Sequence, residues 1–93
     1  MGALMRIRGQ KVFLRRGFWR CADAGLESEL TQVTERWIRE TGGPPLSARD
    51  PEYEVAREMA RRYRGKILSH VPSRGREVAR LLFKKRQLLL FPD

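Results

Sequence analysis

Residues 4–21 read Leu4-Met5-Arg6-Ile7-Arg8-Gly9-Gln10-Lys11-Val12-Phe13-Leu14-Arg15-Arg16-Gly17-Phe18-Trp19-Arg20-Cys21, and the way this stretch folds decides the class of the whole chain. Ile7, Val12, Phe13, Phe18 and Trp19 alternate imperfectly with arginine, while Gly9 and Gly17 punctuate the run where turns would fall. Short alternating runs of β-branched and aromatic residues between glycines predict a short β-hairpin or two strands.

Downstream the period changes. Leu26, Leu30, Val33 and Trp37 recur at helical spacing, Glu27 and Glu29 lie near the positive N-terminal end, and Gly42-Gly43-Pro44-Pro45 ends the run. A second helix starts where Asp50 caps and Pro51 takes the first helical position, with Glu52 and Glu54 in the first turn. Its apolar face is Val55, Ala56, Met59, Ala60 and Tyr63, and cations crowd its C-terminal end. Ser69-His70-Val71-Pro72 reads as a loop, after which Ser73 caps a third helix with Val78, Ala79, Leu82 and Phe83 as its apolar stripe. The expected fold is α+β, a short N-terminal hairpin or strands followed by three helices. At 93 residues the chain is too short to divide again. Residues 1–86 form a single small basic domain, and residues 87–93 a tail or last strand.

Charge narrows the function. Twenty Lys and Arg against eleven Asp and Glu give a formal +9, beyond what solubility needs, and imply a polyanionic partner. The excess sits at the two ends: residues 1–25 carry six cations and one acid, residues 61–93 ten cations and two acids. Such asymmetry predicts a binding face rather than a uniform halo. The candidate nucleic-acid contacts are Arg15, Arg16 and Arg20, interleaved with Phe18 and Trp19; Arg61, Arg62, Arg64 and Lys66; and Arg74, Arg76, Arg80, Lys84, Lys85 and Arg86. Arginine and lysine neutralise phosphates, and an exposed aromatic ring stacks on an unpaired base. Phe18 and Trp19 also read as core, because so short a chain has few large apolar side chains. DNA is the favoured ligand and RNA the alternative.

The C-terminal Gln87-Leu88-Leu89-Leu90-Phe91 resembles the bacterial sliding-clamp-binding motif, Gln-Leu-x-Leu-Phe. The resemblance covers five residues, matches at Gln87, Leu88, Leu90 and Phe91, and implies docking on the clamp of a bacterial replication or repair system. In such a peptide the glutamine fixes orientation by hydrogen bonds while Leu90 and Phe91 anchor in an apolar groove. The other reading makes Leu88 to Phe91 a last strand or a final helical turn packed on the core. With that reading the chain becomes an RNA-binding or ribosome-associated module.

For catalysis the inventory is thin. Glu54 and Glu58 share a predicted helix face with Arg57, Arg61 and Arg62 nearby, a pattern of surface ion pairs. His70 between basic segments could act as a general base in a ribonuclease, with Arg64 or Arg74 steadying a phosphate. The expectation is a non-enzymatic protein without cofactor or metal, since one cysteine, Cys21, and one histidine cannot supply a zinc set. The connection over residues 64–73 is too long for the tight turn of a helix-turn-helix. Residues 42–45 lack the Lys-Ser or Lys-Thr of a phosphate loop. No apolar run approaches a membrane span, and a lone cysteine suits a reducing cytoplasmic setting. Oligomeric state is not legible.

Overall fold

The computed structural model describes residues 2–45 and 49–71. Three strands come first, β1 (Gly2–Ile7), β2 (Gln10–Arg15) and β3 (Phe18–Cys21); then α1 (Ala24–Thr41) and α2 (Pro51–Tyr63); then β4 (Lys66–Val71). The strands form one antiparallel sheet in the order β3-β2-β1-β4. The fold is α+β, but a hairpin followed by three helices is not its arrangement: among the described residues there are four strands and two helices. The third helix expected from Ser73 lies outside the described residues.

Both hairpin turns are two-residue loops of the sequence Arg-Gly. Arg8 and Gly9 have φ of 52° and 75°, Arg16 and Gly17 of 53° and 79°. Positive φ at both central positions matches the twist of the flanking strands, and glycine at the second relieves the steric cost.

Helix α1 starts two residues earlier than its apolar period shows, because Asp23 accepts hydrogen bonds from the backbone N–H groups of Gly25 and Leu26. It ends at Gly42 in the left-handed conformation, whose N–H donates to the Ile38 carbonyl at 2.8 Å. Asp50 caps α2 and Pro51 occupies its first turn, as the sequence predicts. Both helices lie on one side of the sheet, α1 against β3 and α2 against β1 and β4. Ala3, Met5, Ile7, Val12, Leu14 and Trp19 from the strands meet Leu26, Leu30, Ile38, Val55, Ala56 and Met59 from the helices in one apolar core. Trp19 is core and donates its indole N–H to Thr34 Oγ1 at 2.9 Å; Phe18, its neighbour, is 56% exposed.

Ser69, His70 and Val71, read as part of a loop before a third helix, are instead the end of β4. The strand pairs with β1 from Arg6↔Lys66 to Gly2↔Val71, and a register shift between Leu4 and Met5 leaves Leu68 and Ser69 both exposed. That bulge breaks the two-residue alternation by which a strand is recognised.

Candidate nucleic-acid interface

Alternation along a strand sends successive side chains to opposite faces, so the residues between the core positions populate the side away from the helices. The register arranges them in rows. Lys66, Arg6 and Lys11 are consecutive cross-strand partners on β4, β1 and β2. The next row is Ser69, Leu4, Phe13 and Arg20, and beyond it Val71 pairs with Gly2 and Arg15 with Phe18. Among the described residues five cations, Arg6, Lys11, Arg15, Arg20 and Lys66, occupy this face, and none of the four strands contains an Asp or Glu. None of the five is ion-paired with an acid among the described residues.

Lys66, Arg6 and Lys11 place like charges directly opposite one another twice over, an arrangement that costs a sheet stability. Beyond them Phe13 faces Arg20 and Arg15 faces Phe18, a checkerboard of two rings and two guanidinium groups. Phe13 is 36% exposed. Phe13, Arg15, Phe18 and Arg20, with Arg16 from the turn, line a shallow depression.

Of the cations expected from the sequence, Arg15, Arg20 and Lys66 come together here and Arg16 borders them. Arg61 and Arg62 do not: both bind Glu58 on α2, at 2.6 and 2.7 Å. Their hydrogen bonds, and after them their charge, hold the Glu58 carboxyl below its usual range. Arg57 similarly lies 3.8 Å from Glu54, and Arg64 is the left-handed cap of α2. Arg74, Arg76, Arg80, Lys84, Lys85 and Arg86, with the clamp-motif residues Gln87, Leu88, Leu90 and Phe91, lie outside the described residues. Sequence reading missed Arg6, Lys11 and Phe13 as members of the site. Their alternation with Met5, Ile7, Val12 and Leu14 was the available signal, but only the register makes them neighbours.

The two turns are fastened differently. Arg8 leaves the cationic face and binds Glu29 of α1 at 3.0 Å, with its guanidinium 5.2 Å from the centre of the Tyr63 ring. Tyr63 donates its hydroxyl to Glu29 at 2.7 Å, and burial together with that bond pushes the phenol up to about 12. The bonds from Tyr63 and Arg8 lower the Glu29 carboxyl. At the other turn the Gly17 N–H donates to Glu52 Oε2 at 3.3 Å. Glu52 is 2% exposed, and burial raises its carboxyl above the ordinary range against the opposing pull of the Gly17 and Arg16 N–H groups. Glu52 lies in the first turn of α2, as the sequence predicts, and from there also supports the turn between Arg15 and Phe18 from beneath.

His70 lies in β4 opposite Ala3, its Nε2 2.8 Å from Asp50 Oδ2 and its ring 4.5 Å from that of Tyr53. The other oxygen of Asp50 accepts from Glu52 and Tyr53 N–H at the start of α2, so the pair clasps the edge strand to the helix. Cys21, half-buried at the end of β3, directs its thiol toward Gln10. Among the described residues no group of three or more His, Cys, Asp or Glu could hold a metal ion, and no helix is long and apolar enough to cross a membrane.

No family model, curated protein or solved structure matches this chain. The reading of the site therefore rests on its own geometry.

Proposed function

We propose that this chain is a small non-catalytic nucleic-acid-binding module whose contact surface is the helix-free face of the sheet. The observation that carries the reading is the row Lys66, Arg6, Lys11, with Arg15 and Arg20 on the same face and no acid on the four strands among the described residues. Cross-strand repulsion on a surface that could have used neutral residues is explained by a ligand that brings many negative charges. A polynucleotide does so at regular spacing, and each phosphate neutralised releases counterions. The test is polynucleotide affinity over a series of salt concentrations. Arg6→Ala with Lys11→Ala should weaken binding and flatten the salt dependence, by about 0.7 to 0.9 in logarithmic slope for each phosphate no longer neutralised. Equal weakening by Arg61→Ala with Arg62→Ala would move the surface to α2.

A second reading is supported by Gln87-Leu88-Leu89-Leu90-Phe91: docking on a bacterial sliding clamp, which would make DNA the working ligand. A basic face and a clamp peptide on one chain would each raise the effective concentration for the other. Titration of a bacterial clamp with the full chain and with Gln87→Ala, Phe91→Ala tests it. Binding that survives the substitution, or absence of binding by the full chain, removes this reading and leaves RNA as an equal candidate.

A further inference from the structure

The charge row explains attraction to phosphate but not the two phenylalanines. Phe13 and Phe18 sit on adjacent strands in diagonal positions, each beside an arginine across the ladder: Phe13 faces Arg20, Phe18 faces Arg15. They are 36% and 56% exposed. Diagonal neighbours of a sheet are about 7–8 Å apart. Bases within a duplex are stacked about 3.4 Å apart along each strand, and both faces of every internal base are covered. Rings at the spacing of Phe13 and Phe18 therefore suit two successive bases drawn apart from each other, each with a face to give.

The shape of the sheet points the same way. Four strands about 4.8 Å apart make a surface broader than the major groove of about 12 Å. A duplex could meet this face only through its phosphates and would leave the phenylalanines unused. On a single strand, Arg15 and Arg20 are placed to meet the phosphates flanking the stacked bases, while Lys66, Arg6 and Lys11 hold the backbone farther along. Ser69 is the one neutral hydroxyl on this face among the described residues, and the other polar side chains are the cations that meet phosphate, so no group is set aside to read a ribose 2′-hydroxyl.

From these observations, and resting on the nucleic-acid reading above, we infer that the ligand of the sheet face is a single-stranded polynucleotide, two of whose bases stack on Phe13 and Phe18, bound without regard to its sugar. Such recognition tolerates sequence, because every base has a face to stack.

The experiment uses the full chain and three fluorescein-labelled probes of equal length and mixed sequence, a single-stranded DNA, the matching RNA and the DNA duplex, followed by anisotropy at one salt concentration. The variants are Phe13→Leu and Phe18→Leu, which keep apolar bulk but remove the ring, and the thermal midpoint with the combined emission of Trp19 and Trp37 verifies that each is folded. Both single strands should bind within a few-fold of each other and about tenfold tighter than the duplex. Each leucine variant should lose about tenfold on the single strands and nothing on the duplex. Duplex binding as tight as single-strand binding, or folded leucine variants of unchanged affinity, overturns the inference while leaving the charged face standing. RNA preferred over DNA by more than tenfold overturns its indifference to sugar. No binding to any probe overturns this inference and the nucleic-acid reading together.

Discussion

The two faces of this sheet are built from alternate residues of the same short strands and follow opposite rules. On the helix side Met5, Ile7, Val12 and Leu14 are all but inaccessible to solvent and meet α1 and α2. On the other side Arg6, Lys11, Phe13 and Arg15 occupy the intervening positions, with like charges set opposite one another. The first face is arranged for stability and the second carries a cost to it. Where a fold keeps a destabilising arrangement on one surface only, that surface is the place to look for a ligand.

The largest test of the contrast compares neighbours. Leu14→Ala should cost about 2–5 kcal/mol, the transfer and cavity cost of a buried leucine. Phe13→Ala, one residue earlier and on the other face, should cost less than about 1 kcal/mol. Denaturant titration measures both, and equal losses would mean that the second face is also packed. Next in size is Glu52. Glu52→Ala leaves the Gly17 N–H without its buried acceptor and should destabilise by about 1–3 kcal/mol. It should also weaken nucleic-acid binding, because the turn it supports positions Arg15 and Phe18.

Glu52 also has a pH signature. Its folded carboxyl holds a proton above the ordinary value of 4.5, so in the window just above that value the folded state binds more protons than the unfolded state. Its contribution to stability falls as pH rises through the window. Thermal midpoints of Glu52→Gln against pH should lack that decline. Tyr63 repeats the sign at the alkaline end. With the phenol raised from 10.0 to about 12, folding stability should fall as pH climbs between those values, and Tyr63→Phe should flatten the profile there.

The smallest effect on stability is the most pointed, since it changes sign between the two readouts. Lys11→Glu replaces a like-charge pair with an opposite one against Arg6 and should stabilise by about 0.2–1 kcal/mol while weakening polynucleotide binding. A Lys11→Glu protein that is less stable, or that binds undiminished, would contradict the idea that the row is maintained for a ligand.

Much of the scaffold was legible. The Arg-Gly turns, the helical period from Leu26 and the Asp50-Pro51 start of α2 are local signals, and local signals survive in sequence. Strand β4 was not, because its bulge exposes Leu68 and Ser69 in succession and hides the alternation. Glu52 looked like any acid in a first helical turn; only the docking of α2 beneath the Arg16-Gly17 turn buries it. The site was half legible for the same reason. Composition located cations in residues 1–25, but whether an arginine serves the open face, like Arg15, or an internal pair, like Arg8 with Glu29, depends on which elements meet in space.

An NMR titration of the full chain with a short single-stranded oligonucleotide would show whether nucleic acid meets the sheet on its helix-free face. The ring protons of Phe13 and Phe18 should shift strongly, while the indole N–H of Trp19, hydrogen-bonded to Thr34 on the other side of the same sheet, stays in place. Shifts confined to α1 and α2, with the two phenylalanines unmoved, would contradict contact on that face.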